Sequence, residues 1–452
     1  MLRSPSNRQT GTLGGPALRG NLTKTLKYTP IFIELIVEYY PRKIEEKMEK
    51  WLERKEYLLL KGPRQSGKTT LLLHLKELLK DSAEYITLED PGWREAFGKD
   101  PKRAAERVLG SGKSILLLDE AQYVEDVGHG LKLLFDLYGD RLKVIATGSG
   151  SFDVKVEVGK HLVGRAVYFE LMPLVFEEFL MWRARDLHGT YLAFVESLSG
   201  FLRGEKLEAE PIFEREFRSL LEEYVIFGGF PAVVKEQSQE FKRELLKNLV
   251  RTYIERDVFY FLRVRNPEKF QGLMKFLSFQ IGGLLNHADV CRELGLDFKT
   301  LLNYLSILRQ TYVIDLLPPF FRNLATELRK SKKLYFLDTG LRNSLLNNFS
   351  PLEEREDKGR LLENHVFLQL RSRLEEIHFW RTTGKGEVDF VLKNCDGPIP
   401  VEVKTGRAKV GRGFVSFLKS YRPKRAVVFT EEGFGIREIA GTKVAFLPHY
   451  FV

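Results

Sequence analysis

The sequence predicts an α/β chain in three parts: a parallel-sheet core, a helical connector ending in a helix-turn-helix and short hairpin, and a small second α/β domain. Three observations predict it. Apolar runs of strand length alternate with amphipathic helical segments in the first third of the chain. Leu174 to about Asn266 is charged and helix-periodic with few strand signals. The last block again mixes helical segments with strands of alternating pattern. With 452 residues, 43% hydrophobic and 29% charged, the chain is long enough for several cores and too apolar to be mainly disordered.

Residues 1–27 are rich in Ser, Gly, Thr, Asn and Arg and have no apolar period, so a disordered basic tail is expected there. A start codon placed too early and a DNA-touching arm are the competing readings. Arg3, Arg8, Arg19, Lys24 and Lys27 supply half of the net charge of +10, which leaves the body only mildly basic. Tyr40–Glu53 is expected to be helical, with Ile44, Met48, Trp51 and Leu52 on one face. Glu56–Lys61, Tyr85–Leu88, Ser114–Leu118 and Lys143–Thr147 read as buried strands, and Thr69–Lys80 as an amphipathic helix. Such alternation predicts a parallel sheet covered on both faces. Short helices follow over Phe270–Gln310, then strands at Tyr312–Leu317 and Lys333–Leu337, and a polar linker or surface loop at Asn347–Gly359. Arg360–Val452 predicts a helix, strands around 377–381, 387–392 and 399–404, then a helix and more strands. The expected domains are 28–190, 191–270, 271–345 and 346–452.

Several classes are excluded. Cys291 and Cys395 are the only cysteines, with no CxxC pair, so neither a zinc site nor a disulfide scaffold is expected. No apolar run approaches the roughly 20 residues that span a bilayer. The best, Ile31–Val37, is interrupted by Glu34, and no signal-peptide core is visible. The expectation is a soluble, cytoplasmic protein without a membrane partner.

The strongest motif is Gly62-Pro63-Arg64-Gln65-Ser66-Gly67-Lys68-Thr69-Thr70, which fits GxxxxGK[ST] between a predicted strand and a predicted helix. Glycines let backbone N–H groups cradle phosphates, and the helix N-terminus adds partial positive charge. Lys68 is expected at the β/γ-phosphates, and the Thr69 hydroxyl on Mg²⁺. Ile115–Leu118 leads into Asp119 and Glu120. Asp119 would hold Mg²⁺ through water, and Glu120 would orient and deprotonate the attacking water. The acid pair favours hydrolysis over transfer to a metabolite, and the absence of an NKxD motif favours ATP over GTP. Thr147 and Ser149 end a third strand, where either hydroxyl is a candidate γ-phosphate sensor; an ordinary strand-end turn is the competing reading. The core is therefore a P-loop ATPase core in this reading.

GPRQSGKTT, LLLDEAQ, TGSGS and Leu162-Val-Gly164-Arg165 through Leu171-Met-Pro-Leu174 resemble the prokaryotic AAA-type ATPases of the archaeal and bacterial ATPase superfamily, over about residues 40–190. The resemblance implies a homo-oligomer in which a neighbour's arginine completes the site. Arg165 is the candidate finger or sensor, with a surface salt bridge as the alternative. Phe227-Gly-Gly-Phe-Pro231 and Tyr253-Ile-Glu-Arg-Asp257 are similar to the uncharacterised C-terminal domain that follows such ATPases.

Asn286–Leu294, a turn at Gly295–Asp297 and Phe298–Gln310 resemble a winged helix-turn-helix. Lys299, Asn303 and Arg309 are candidate DNA contacts, as are Arg322, Lys332 and Lys333 in the possible wing. A protein–protein module is the alternative. In the last block, Asp389 shares a strand face with Glu387, and Glu402 shares one with Lys404, while Glu363 lies on the apolar side of a helix. The set Glu363, Asp389, Glu402 and Lys404 resembles the PD-(D/E)XK nuclease fold. That implies one or two Mg²⁺ on the carboxylates, with Lys404 helping to activate water. Arg407, Lys409 and Arg412 are candidate phosphate contacts. Cleavage, binding without cleavage, and neither remain open. The leading expectation is an ATP-driven DNA-processing enzyme using ATP and Mg²⁺. The alternatives are an ATP-gated switch docking an unknown protein partner, and a branch-migration or helicase-like motor.

Overall fold

In the computed structural model, the described residues are 39–149, 161–261, 264, 266–320, 331–382, 384, 386–394, 397–406 and 409–452. The basic tail, Arg322 and Arg407 lie outside them.

The first sheet is parallel throughout. Its strands β1 (Tyr57–Gly62), β2 (Ala83–Thr87), β3 (Ile115–Asp119), β4 (Lys143–Ser149) and β5 (Ala166–Glu170) lie in the order β2-β3-β4-β1-β5. Leu58, Leu59, Leu60, Leu116, Leu117 and Leu118 are fully buried, because the helices 68–79, 91–99, 102–110 and 127–138 leave the central strands no wet face. Strand β5 has no counterpart in the sequence-based expectation. It is an edge strand, mostly exposed or half-exposed, so it carries no continuous apolar run. The expected helix at Tyr40–Glu53 is shorter, Ile44–Glu49.

The region after Leu174 is helical, as its periodicity predicts, with helices 176–183, 185–203, 214–227 and 239–252 and a wider π-type turn at Tyr253–Phe261. Helices 287–294 and 298–310 follow. Gly295 takes φ +57 between them, and Asp297 caps the second through Thr300 N (2.9 Å). Strands β6 (Ile314–Leu317) and β7 (Lys333–Phe336) then pair antiparallel.

The last sheet combines β8 (Ile377–Arg381), β9 (Glu387–Asn394), β10 (Gly397–Val403), β11 (Arg425–Phe429), β12 (Gly435–Ile439) and β13 (Thr442–Leu447) in the order β12-β13-β11-β10-β9-β8. Helix 358–373 brings Val366 and Phe367 into one core with Phe390, Val401 and Phe429. Helix 412–421 packs Phe414 and Phe417 against Val388, Val428 and Val444 in another.

One apolar core runs from Leu174 to Val452, across residue 346. Phe451 stacks on Phe194 (4.1 Å between centroids) and Tyr450 on Phe217 (5.1 Å). Asn347–Gly359, expected as a solvated linker, is instead anchored: Arg355 is buried and donates to Asn348 O (2.7 Å) and to Asp357 (2.8 Å).

Candidate nucleotide site and carboxylate cluster

The loop between β1 and helix 68–79 turns on two glycines. A Cβ at Gly62 would stand 2.1 Å from Leu171 O, and Gly67 takes φ +99 where helix 68–79 begins. Lys68 is buried and donates to Gly62 O (3.0 Å) and Pro63 O (2.6 Å), so its ammonium sits inside the loop. Ser66 Oγ is buried with no hydrogen-bond partner among the described residues. Thr70 lies one residue further along the helix.

Thr69 Oγ1 donates to Asp119 Oδ2 (2.8 Å), which joins the loop to the end of β3. Tyr85 OH donates to the same oxygen (2.8 Å), and Thr147 Oγ1 donates to Asp119 Oδ1. Strand β4 lies between β1 and β3, so Thr147 meets both strand ends. Glu120 N donates to Thr147 Oγ1 (3.2 Å), and the Glu120 backbone takes φ +54, a strained position for a side chain of its kind. Burial pushes the Glu120 carboxyl above its ordinary range, and the Asp119 charge adds to this; Lys68 and Arg64 oppose it. Gln122 donates to Glu120 through its amide nitrogen and accepts from Ser149 N (3.2 Å) through its oxygen.

These residues fit a magnesium–nucleotide pair. The hydroxyl and carboxylate are hard oxygen donors, and the glycine loop has an orphan hydroxyl and an internal ammonium.

Arg165 lies elsewhere. It precedes β5 beside Tyr57, at the N-terminal end of the strands, and pairs with Asp136 (2.9 Å). The length of β1, about 17 Å, separates it from the loop. It therefore does not serve its own chain's phosphate site.

Two arginines were missed by sequence reasoning because their partners are remote. Arg42 is buried and donates to Ser66 O (2.9 Å), Met172 O (2.7 Å) and Glu178 (3.0 Å), fastening the loop to helix 176–183. Arg256, on the π-type turn, donates to Tyr123 OH (3.1 Å) and Glu89 Oε1 (3.3 Å) beside the strand ends. Only the DEAQY run hinted that Gln122 and Tyr123 matter.

The C-terminal acids converge as their strand faces predict, because β9 and β10 are antiparallel neighbours. Asp389 Oδ2 accepts from Val403 N (2.9 Å), and Lys404 pairs with Glu402 Oε1 (2.6 Å). Burial, then the Asp389 charge, pushes the Glu402 carboxyl up to about 8, with Lys404 opposing. The centre of the cluster is taken by Lys333. Its Nζ lies 2.6 Å from Glu387, 2.9 Å from Glu363 and 3.5 Å from Asp389. Burial alone would favour discharging Lys333, but Glu363, Asp389 and Glu387 outweigh it and hold the ammonium charged. This corrects the expectation that Lys333 meets DNA phosphates, since it is only 1% exposed. With Lys333 in place, the carboxylates do not fit Mg²⁺. Among the described residues no group of three or more His, Cys, Asp and Glu is disposed to hold a metal ion.

Of the remaining candidate DNA contacts, Lys299, Asn303, Arg309, Lys409 and Arg412 are exposed, and Lys332 is half-buried. Arg309 faces Asp315 (3.7 Å).

Phosphate loop, acid strand end and the order β2-β3-β4-β1-β5 together define a P-loop ATPase core. A family model described as an AAA domain matches residues 54–180, so the chain carries an AAA-type ATPase domain. Two models described as domains of unknown function match 218–352 (DUF8612) and 358–450 (DUF4143). An uncharacterised protein of Mycobacterium tuberculosis is 28% identical over 397 residues, covering 85% of this chain and 79% of that one. One from Methanocaldococcus jannaschii is 24% identical over 415 residues, covering 86% and 84%. Among solved structures, the Thermotoga maritima RuvB Holliday junction branch migration motor is 18% identical with a TM-score of 0.25, covering 60% of this chain and 88% of that one. C. elegans PCH-2 is 16% identical with a TM-score of 0.25, covering 45% and 56%. No helix among the described residues is long and apolar enough to cross a membrane.

Proposed function

We propose that this protein hydrolyses Mg-ATP and uses the cycle to act on DNA. The observation that carries the ATP part is the convergence of Lys68, Thr69, Asp119, Glu120 and Thr147 at neighbouring strand ends. In this reading Lys68 exchanges its loop carbonyls for the β/γ-phosphate oxygens. Thr69 and Asp119 hold the Mg²⁺ ion, which when bound neutralises charge on the phosphates. Glu120 accepts the proton of the attacking water, and Thr147 fixes the Asp119 carboxylate between loop and strand. Arg165 serves the site of a neighbouring copy in a homo-oligomer.

Glu120→Gln is expected to keep ATP binding and to lower turnover at least about 10²-fold. Because burial raises the Glu120 pKa, wild-type turnover should fall on acidification at a pH above the usual carboxylate range. Unchanged turnover in the variant, measured by phosphate release, would remove Glu120 from the mechanism.

DNA is supported by the exposed Lys299, Asn303 and Arg309 on the second helix of the helix-turn-helix, and by Lys409 and Arg412. ATPase rates with single strand, duplex and four-way junction test this part. One form is expected to stimulate turnover several-fold, and salt should weaken its binding steeply, since phosphate contacts release counterions. Neither stimulation nor binding at low salt would leave the second reading, an ATP-gated switch that docks a protein partner. One observation favours that reading. Pro63, Arg64 and Gln65 line one cleft with Phe230, Tyr253, Tyr312 and Leu341, so the loop that closes on phosphate abuts the helical module. In this reading the buried ammonium of Lys333, and not Mg²⁺, balances Glu363, Glu387 and Asp389, so no nuclease cleavage is expected.

A further inference from the structure

We infer that Lys333 is a built-in cation that closes the C-terminal carboxylate cluster to divalent metal, and that removing its ammonium opens a site for Mg²⁺ or Mn²⁺. The inference rests on reading these carboxylates as a cation site, and changes what fills it.

The plug and its socket come from different elements. Lys333 opens β7, which pairs with β6 and, through Lys333 itself, bridges to Leu284. The carboxylates come from helix 358–373 and from β9 of the last sheet. An ammonium has three donors and no acceptor. Glu363, Glu387 and Asp389 stand 2.9, 2.6 and 3.5 Å from it, one carboxylate for each donor. The neighbours hold the acids in place around it. Tyr335 OH donates to Glu363 (2.6 Å), Val403 N donates to Asp389 (2.9 Å), and Arg381 faces Glu387 (3.4 Å).

A second observation points to a cation independently of the acids around Lys333. Glu402 stands on the adjacent strand and is 4% exposed. Its Oε1 meets Lys404, but its buried Oε2 has no hydrogen-bond partner among the described residues. Glu402 also feels the charges of both Asp389 and Lys333. A buried carboxylate oxygen left unpaired beside an acid cluster is a site for a hard cation. In this state the single charge of Lys333 serves instead. Without it, several carboxylates would share one buried space uncompensated, and a dication balances them better than water can.

The test is Mn²⁺ binding to the nucleotide-free full chain, followed by electron paramagnetic resonance of free Mn²⁺. Wild type is expected to show no saturable binding that depends on Asp389. Lys333→Met, which keeps the bulk of the side chain and removes its charge, should bind one Mn²⁺ at least tenfold more tightly. Adding Asp389→Asn should abolish that binding. ATP turnover reports whether each variant is folded, since the cluster lies outside the phosphate site; should Lys333→Met fail this check, Lys333→Gln replaces it. Stoichiometric Mn²⁺ binding by wild type that Asp389→Asn removes would overturn the plug while sparing the cation-site reading. A folded Lys333→Met that binds no Mn²⁺ would overturn both.

Discussion

Lys68→Ala is expected to reduce ATP turnover at least about 10²-fold while the chain stays folded. The ammonium is buried within the loop, where it donates to the carbonyls of Gly62 and Pro63. With the ammonium removed, Arg42 still holds the loop to Met172 and Glu178. What is lost is the charge that meets the β/γ-phosphates in the proposed mechanism. Phosphate release measures the loss, and circular dichroism with thermal melting checks the fold. Normal turnover in the variant would remove the phosphate loop from the chemistry and the ATPase proposal with it.

The second large effect concerns stability and pH. His365, on helix 358–373, is fully buried, with its ring 5.5 Å from Phe176 and 5.7 Å from Tyr224. His449, in the last turn of the chain, is also buried. Burial pushes both imidazoles down to about 3, and the charge each would carry is further opposed by His449 in the first case and Arg218 in the second. The unfolded chain binds these protons near pH 6.5, so below that value it holds more protons than the folded chain. Their contribution is fully present above about pH 6.5 and is lost as pH falls toward about 3. Asp338, pushed up to about 6 by burial, and Glu402 act in the opposite sense. A comparison with His365→Gln/His449→Gln separates the terms. From about pH 6.5 to about pH 5, wild type should lose about 3 kcal/mol relative to the double variant. Guanidinium unfolding at the two pH values measures this. Parallel losses in both proteins would mean that the two histidines titrate as exposed ones do.

Much of the fold was readable because it is encoded locally. Strands β1, β2, β3 and β4 all fall within two residues of their apolar runs at both ends. Helix 298–310 begins at the Asp297 cap that its sequence announces. Strand β5 was not readable, because an exposed edge strand needs no apolar run. The anchoring of Asn347–Gly359 was not readable either. A polar segment looks the same in sequence whether its arginine meets water or a buried Asp357.

The sequence by itself determined the phosphate loop, the acid strand end and the faces on which Asp389, Glu402 and Lys404 lie. Each of these depends on spacing within a few residues: a turn that requires glycine, or a strand that alternates. Only the tertiary structure decided which end of the sheet Arg165 occupies, what Arg42 fastens, and that Lys333 fills the acid cluster from another hairpin. The physical reason is the same in all three. A charged side chain takes its role from the partner it meets in low dielectric, and here that partner lies in a distant part of the chain.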